Sequence, residues 1–326
     1  MTLDADHIVD RRRMRRKLTF WRVLAVVIAI VAIGAIAVAF GPRGLRAAGG
    51  AEIARITIQG LIRGDQDRVE ALTALSKARN ARAVIIHVDS PGGTTAGSEQ
   101  LHNALRLVAA SKPTVVVVDG MAASGGYIAA LASDHIVAQG TSLVGSVGVL
   151  FQFPNFTDIL KTVGVQVETI RSTPLKAAPN GLEPTSPEAR AAIEAIVKDS
   201  YAWFRGMVQD RRKLTPEELD RVADGRVFTG RQAIDLKLID EVGNEQTAID
   251  WLAKEKGIDP KTPVRDWRLE PRLGQLSFLH LGAAAVLDAV GLSSFARQVA
   301  DTGSMQALER LNLDGMLALW HPPGAN

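Results

Sequence analysis

The chain has 326 residues, of which 47% are hydrophobic and 22% charged, a composition typical of a folded protein with one large domain or two ordinary ones. Its net charge of +3 comes from residues 1–22, which carry seven basic and three acidic side chains, whereas the remainder carries 31 basic and 32 acidic ones. This balance gives no reason to expect a nucleic-acid partner. The absence of cysteine excludes disulfides, thiolate metal sites and cysteine nucleophiles.

The basic N-terminus, residues 1–22, is followed by eighteen residues without a charged or polar side chain, residues 23–40. As a helix this segment would be about 27 Å long, close to the hydrocarbon thickness of a bilayer. We therefore expect a single transmembrane anchor, with the N-terminus in the cytoplasm and the rest of the chain on the far side. A cleaved signal peptide is the alternative, because Ala-x-Ala patterns occur at 35–39.

The body of the chain alternates between buried strands and helices after a linker at 41–52. Runs rich in β-branched residues predict strands at 53–62, 81–93, 114–120, 134–139 and 166–172. Apolar residues at helical spacing predict helices at 66–79, 95–111 and 186–213, and a further helix beginning near Ser124. Continuous apolar strands that alternate with helices are typical of a parallel sheet covered on both faces, so the predicted fold class is α/β. We expect a domain at 53–265 and a C-terminal helical extension at 266–326.

Two glycine-rich turns follow predicted strands and could form a site. The first, DSPGG at 89–93, could present backbone N–H groups to a developing oxyanion, or it could be an ordinary tight turn. In the second, Ser124 stands between two alanines and two glycines. A serine before a helix most often caps it, and small neighbours are also what an exposed nucleophile requires. The motif alone leaves both interpretations open.

A nucleophilic serine needs a base, and the six histidines lie in no pattern that suggests a catalytic triad. Lys176 is the alternative, because it is the only lysine between 162 and 197 and has small or apolar neighbours. A lysine acts as a base only if its pKa falls toward neutrality, which burial can cause. Ser146, in a glycine-flanked loop, could orient such an amine. A solvated loop lysine is the competing interpretation of Lys176.

Five sequence blocks occur in an order and spacing that resemble the signal peptide peptidase A family, the membrane-anchored Ser/Lys peptidases of bacteria. They are DSPGG at 89–93, GMAASGGYIAA at 120–130, TSLVGSVGVL at 141–150, KTVGVQVETIRSTPLKAAP at 161–179 and ADGRVFTGRQAIDLKLIDEVG at 223–243. The resemblance covers about residues 53–250 and is closest to the short, single-domain members. It implies a Clp protease/crotonase-like domain with parallel strands and covering helices, preceded by one transmembrane helix.

The resemblance also implies a role for each candidate site residue. Ser124 matches the family's nucleophile, Lys176 its general base, and Ser146 the serine that orients the lysine. Gly93 and Gly125 match the residues whose N–H groups form the oxyanion hole. Members of this type form homo-oligomers in which serine and lysine come from neighbouring subunits.

What such a protein would do also follows from the resemblance. It would be a serine endopeptidase that degrades remnant signal peptides and similar hydrophobic peptides, without a cofactor or metal. It would be held in the cytoplasmic membrane by residues 23–40, with its catalytic domain on the periplasmic side. The alternatives are a crotonase-fold acyl-CoA enzyme and a catalytically silent membrane scaffold.

This chain departs from the family pattern in two places. Family members often have a lysine where this chain has Arg171, which leaves Lys176 as the only lysine of that loop. The stretch after about residue 265 matches no motif of the family, so its role stays open.

Overall fold

The computed structural model describes residues 50–269 and 317–319, together with three positions near the N-terminus. The chain divides into two compact units, Met1–Ala51 and Glu52–Asn326, and every element named below lies in the second. Nearly all of the predicted anchor at 23–40 lies outside the described residues, as do residues 270–316 of the C-terminal extension. Among the described residues, no helix combines the length and the apolar character that crossing a bilayer requires.

The described strands form one mainly parallel sheet. They are β1 (Glu52–Ile62), β2 (Ala81–Thr94), β3 (Thr114–Ala123), β4 (His135–Ala138), β5 (Leu143–Gly145), β6 (Val227–Thr229), β7 (Glu241–Val242), β8 (Val264–Asp266) and β9 (Leu317–Leu319). The main path runs β6-β5-β3-β2-β1-β8, while β4 pairs with β3 and β7, and β9 pairs with β2. Only the β5–β6 and β2–β9 pairs are antiparallel. The predicted α/β class with parallel strands is confirmed.

Helices connect and cover these strands within the described ranges. They are α1 (Gln66–Lys77), α2 (Thr95–Ser111), α3 (Gly125–Ala130), α4 (Thr157–Thr162), α5 (Pro187–Arg212), α6 (Pro216–Val222), α7 (Gly230–Asp235) and α8 (Glu245–Lys256). Side-chain oxygens bind free N–H groups in the first turn of most of them; Thr94 caps α2, and Ser186 caps α5 with a proline in its first turn. These caps explain why the helices begin at those residues.

The core lies on both faces of the central strands, because alternate residues of each strand point to opposite sides. On one face, Ile56, Ile86 and Val116 belong to the main cluster, which includes α1, α2 and α3. On the other face, Ile85 and Val117 belong to a smaller cluster with two residues of α8. Burial on both faces is why these strands are almost continuously apolar in sequence.

The sheet splits toward the carboxyl ends of its central strands, which positions the candidate site. One edge of β3 pairs first with β4 through Val115–Val118 and then with β5 through Met121–Ala123. The edge of β2 that faces β3 also has two partners in succession. It pairs with β3 as far as Ser90, the partner of Ala122, and then with β9 through Gly92–Thr94. Both divisions lie next to the two glycine-rich turns.

Two expectations about local structure are wrong. Residues 166–172 form no strand, since the segment is largely exposed and follows α4 without a partner strand. Leu317–Leu319 form a strand rather than a helix, because they pair with the edge of β2. The helix predicted at 186–213 is confirmed as α5, and its residues Ile193 and Val197 line an open groove of about 310 Å³ with Phe151 and Phe153.

Candidate active site

Ser124 lies at the junction between β3 and α3 in an unusual backbone conformation. Its φ of 52° is in the region that favours glycine, and the residue is only 1% exposed. Its N–H donates to the Gly145 carbonyl at 2.7 Å, and its own carbonyl accepts from the N–H groups of Tyr127 and Ile128. A non-glycine residue held at positive φ costs about 1–3 kcal/mol and is typical of functional sites.

The Ser124 hydroxyl does not cap α3. No hydrogen bond joins this side chain to the free N–H groups of the first helical turn, whereas Thr94 and Ser186 bind such groups at the starts of α2 and α5. The interpretation of Ser124 as an ordinary helix cap is therefore wrong. Its hydroxyl is left without the bond that would explain a serine at this position on structural grounds alone.

Ser146 lies beside Ser124 because the strands that precede them are paired. Ala123 and Gly145 are register partners in β3 and β5, so the two serines are the next residues on adjacent strands, which run about 4.8 Å apart. Ser146 shares the unusual conformation, with a φ of 53°, and its N–H donates to the Arg226 carbonyl at 2.8 Å. The structure thus brings together two of the candidate site residues predicted from sequence.

The turn at 89–93 packs closely against β1 and α3. Gly92 has a φ of 105°, which a residue with a side chain rarely adopts. A Cβ atom added to Gly93 would lie 1.8 Å from the Ile62 carbonyl oxygen of β1. One added to Gly126, next to Gly125, would lie 2.6 Å from the Ser90 carbonyl oxygen. Only glycine permits this proximity, so the loops that carry Gly93 and Gly125 are held against each other.

The backbone beyond Ser90 accepts a further strand. Leu317–Leu319 pair antiparallel with Gly92–Thr94, with Ala318 as the partner of Gly93. The last β2–β3 pair joins Ser90 to Ala122. The residues of β2 that pair with β9 begin two positions after Ser90, and Ser124 lies two positions after Ala122. A segment of extended chain therefore occupies the edge of β2 close to the turn that carries Ser124.

Lys176 lies on an exposed turn after α4, whereas Ser124 and Ser146 are buried. Its side chain makes no hydrogen bond or ion pair with any described residue, Ser124 and Ser146 included. Lys176 is exposed, so the described part of one chain does not provide the buried environment expected for a lysine base. The structure therefore assembles Ser124, Ser146, Gly93 and Gly125, and leaves Lys176 apart.

The turn that carries Lys176 is closed by Glu183. This carboxylate accepts a hydrogen bond from Thr169 at 3.1 Å and one from Asn180 at 3.0 Å, and it forms an ion pair with Arg171. The pKa of Glu183 is held below its usual value by the hydrogen bond from Asn180, by the hydrogen bond from Thr169 and by the positive charge of Arg171. Both ends of the loop are thus tied to one side chain, a role for Arg171 and Glu183 that sequence reasoning missed.

The described histidines do not supply a base for Ser124. The Nδ1 atom of His87 lies 3.0 Å from Asp119, and its Nε2 atom lies 2.7 Å from Glu245. Both ring nitrogens of His87 therefore face carboxylates. His87 follows Ile85 by two residues on β2, so its side chain lies on the face of the sheet that α8 covers, whereas α3 packs on the other face. His102 is buried and donates from Nδ1 to the Ile128 carbonyl at 2.7 Å, and burial lowers its pKa.

The remaining described histidine, His135, is also engaged away from the site. Its ring stacks on Trp251 with the centroids 4.5 Å apart, and it lies near Asp240 and Glu241. His7, His280 and His321 lie outside the described residues. In the described part of the chain, no group of three or more His, Asp or Glu side chains is arranged to hold a metal ion.

Comparisons with known proteins agree with this geometry. The model of peptidase family S49 matches residues 106–259, and that of Clp protease matches residues 55–139. A Synechocystis protein whose name describes it as a protease is 33% identical over 223 residues, which cover 68% of this chain and 80% of that protein. The chain belongs to peptidase family S49. The resemblance inferred from the five sequence blocks is confirmed, and this S49 member is a serine peptidase with a Clp protease-like fold.

Two further relatives carry more specific names. Protease 4 of Salmonella typhi is 35% identical over 184 residues, which cover 54% of this chain and 30% of that protein. A protein of Enterococcus faecium named as signal peptide peptidase SppA is 30% identical over 197 residues, covering 59% of this chain and 57% of its own. The S49 chain therefore matches less than two thirds of either relative.

Proposed function

We propose that this S49 peptidase hydrolyses extended, apolar peptides, with Ser124 as nucleophile and Lys176 of a neighbouring subunit as general base. The observation that carries the proposal is the Ser124 hydroxyl, which caps nothing although its backbone is held at a φ of 52°. The position of Ser146 beside it supports the same assignment, because a lysine base needs a hydroxyl or carbonyl partner to orient its amine.

The reaction follows from these groups. As the Ser124 Oγ atom attacks the peptide carbonyl, neutral Lys176 takes the hydroxyl proton, and Ser146 holds the amine in place. The N–H groups of Gly93 and Gly125 bind the oxyanion of the tetrahedral intermediate. Protonated Lys176 then gives its proton to the leaving amine, and water, deprotonated by the same lysine, hydrolyses the acyl-enzyme.

Sharing of the site between subunits is supported by the surface around Lys176. Ten of the fourteen large hydrophobic side chains exposed in the described ranges lie between residues 151 and 196. They are Phe151, Phe156, Ile159, Val163, Val165, Val167, Ile170, Leu175, Leu182 and Ile196. A concentration of exposed apolar side chains in one segment favours an interaction surface, and a second copy of the chain covering this segment would bury Lys176.

The proposed substrates are extended peptides with apolar side chains, remnant signal peptides among them. The edge of β2 supports an extended substrate, since Gly92–Thr94 already pair with a strand of the chain itself. The apolar segment at 23–40 supports an anchor in the cytoplasmic membrane with the catalytic domain on the periplasmic side. Such a location would bring the site to peptides released from the bilayer. The family assignment favours this function over an acyl-CoA enzyme or a silent scaffold.

Complementation between inactive variants tests the proposal directly. Ser124→Ala and Lys176→Ala chains, co-expressed in equal amounts with different tags, should each be inactive alone and recover cleavage of an apolar fluorogenic peptide in the mixed oligomer. With random assembly, about one quarter of the sites would join an intact serine to an intact lysine. Labelling by a fluorophosphonate should recover to the same extent.

A matched mixture separates the two possible arrangements. When wild type is co-expressed in equal amount with the Ser124→Ala/Lys176→Ala double variant, about one quarter of all sites in the mixed oligomers would be active if the dyad is shared between subunits. About one half would be active if the dyad lies within one chain. Recovery in the first mixture together with one quarter in the second supports the proposal. No recovery in the first mixture and one half in the second would overturn the shared dyad. Full activity of Lys176→Ala alone would overturn the role of the lysine.

A further inference from the structure

Ser90 is a fully buried serine whose hydroxyl joins two parts of the backbone near the candidate site. Its side chain is 0% exposed, and its hydroxyl donates to the Gly60 carbonyl of β1 at 2.7 Å. The same oxygen accepts a hydrogen bond from the Gly92 N–H at 3.1 Å. One hydroxyl thus satisfies a carbonyl at a bend of β1 and the N–H group that precedes Gly93.

The backbone of Ser90 also contacts the other glycine-rich turn. Ser90 is the register partner of Ala122 on β3, two residues before Ser124. Its carbonyl oxygen lies so close to Gly126 that an added Cβ there would be 2.6 Å away. Ser90 therefore lies between the loop that carries Gly93 and the helix start that carries Gly125.

We propose that Ser90 is a positioning residue that sets the distance between the two oxyanion donors of the peptidase site. This inference rests on the proposed function, in which the Gly93 and Gly125 N–H groups bind the oxyanion. Ser90 touches neither substrate nor the reacting atoms. It acts by holding Gly92 at a φ of 105°, and this backbone conformation sets the direction of the Gly93 N–H bond.

Removing the hydroxyl should disturb the transition state more than substrate binding. In Ser90→Ala the Gly92 N–H and the Gly60 carbonyl lose their shared partner in a site closed to bulk water, so the turn must shift to satisfy them. A misplacement of about 1 Å in a catalytic group can lower the rate about a hundredfold. We expect kcat to fall by about 10- to 100-fold while KM changes by less than about twofold.

The experiment compares Ser90→Ala with Ser133→Ala in the full-length chain. Ser133 is a matched control, because it is also buried and its hydroxyl also has two backbone partners, the carbonyls of Ala130 and His135. Both variants should lose similar thermal stability, and only Ser90→Ala should lose kcat. A peptide aldehyde, whose adduct with the serine carries the oxyanion, should bind Ser90→Ala more weakly by the same factor as kcat falls.

Two results would overturn the inference while leaving the proposed function intact. One is a folded Ser90→Ala enzyme with kcat and aldehyde affinity equal to those of Ser133→Ala. The other is a rise in KM that accounts for the whole loss, since that would place Ser90 in substrate binding. Failure of the proposed function looks different, because wild type itself would then neither cleave the peptide nor react with the fluorophosphonate.

Discussion

The Gly93→Ala substitution tests whether the turn at 89–93 supplies an oxyanion donor. A Cβ at this position would lie 1.8 Å from the Ile62 carbonyl oxygen, whereas ordinary contact begins at 3.4 Å, so residue 93 must move away from β1 by about 1.6 Å. Gly93 is the register partner of Ile62 in the β1–β2 pair, so a shift of this backbone away from β1 would move the Gly93 N–H group as well. Loss of one oxyanion donor typically lowers kcat by about 10²–10³, or roughly 2.7–4 kcal/mol.

The assay is steady-state cleavage of an apolar fluorogenic peptide, with fluorophosphonate labelling and a thermal melt of the same preparation. Gly64→Ala is the control, because its added Cβ would meet only the Gln100 side chain at 3.7 Å, an ordinary contact. We expect Gly64→Ala to keep its activity, and Gly93→Ala to lose at least a hundredfold in kcat while its oligomer stays folded. A folded Gly93→Ala enzyme within about threefold of wild-type kcat would refute the assignment of this donor.

Two further predictions concern His102 and β9. Burial lowers the pKa of His102 in the folded chain, so below about pH 6.5 the unfolded chain takes up a proton that the folded chain resists, and stability falls as the pH drops. His102→Gln cannot titrate and should show a flatter decline in melting temperature between pH 7 and pH 5; an unchanged slope would mean that other groups dominate. Ending the chain before β9 leaves the Gly92–Thr94 edge open, so a chain of residues 1–315 should show a lower KM and faster labelling than the full chain. An equal KM in the two chains would contradict occupation of the substrate edge by β9.

The sequence alone was sufficient for the central sheet, and it pointed to four residues that the structure places near one another. The strands at 53–62, 81–93 and 114–120 are apolar at almost every position because both faces are buried, and that pattern is local enough to read directly. Ser124, Ser146, Gly93 and Gly125 lie in short motifs whose small residues reflect close approach of the backbone. That requirement is visible in the composition of the motif itself.

The same reasoning failed at 166–172, where Val167 and Ile170 are exposed rather than buried. A pattern of apolar residues predicts burial without stating against what, and no described strand of the chain pairs with this segment. The short strand β9 was missed for a related reason. Three residues form a strand only because the edge of β2 is open at Gly92–Thr94, a fact about distant backbone.

Other features depended on the tertiary structure alone. The sequence could not decide whether Ser124 caps its helix, because both roles require the same residue at the same place; the backbone at φ 52° and the missing cap bond decide it. It could not relate Ser90 to Gly60, or Glu183 to Arg171, since such hydrogen bonds join residues by direction and distance rather than by pattern. Local composition therefore determined which residues could do chemistry, and the register of the strands determined which of them meet.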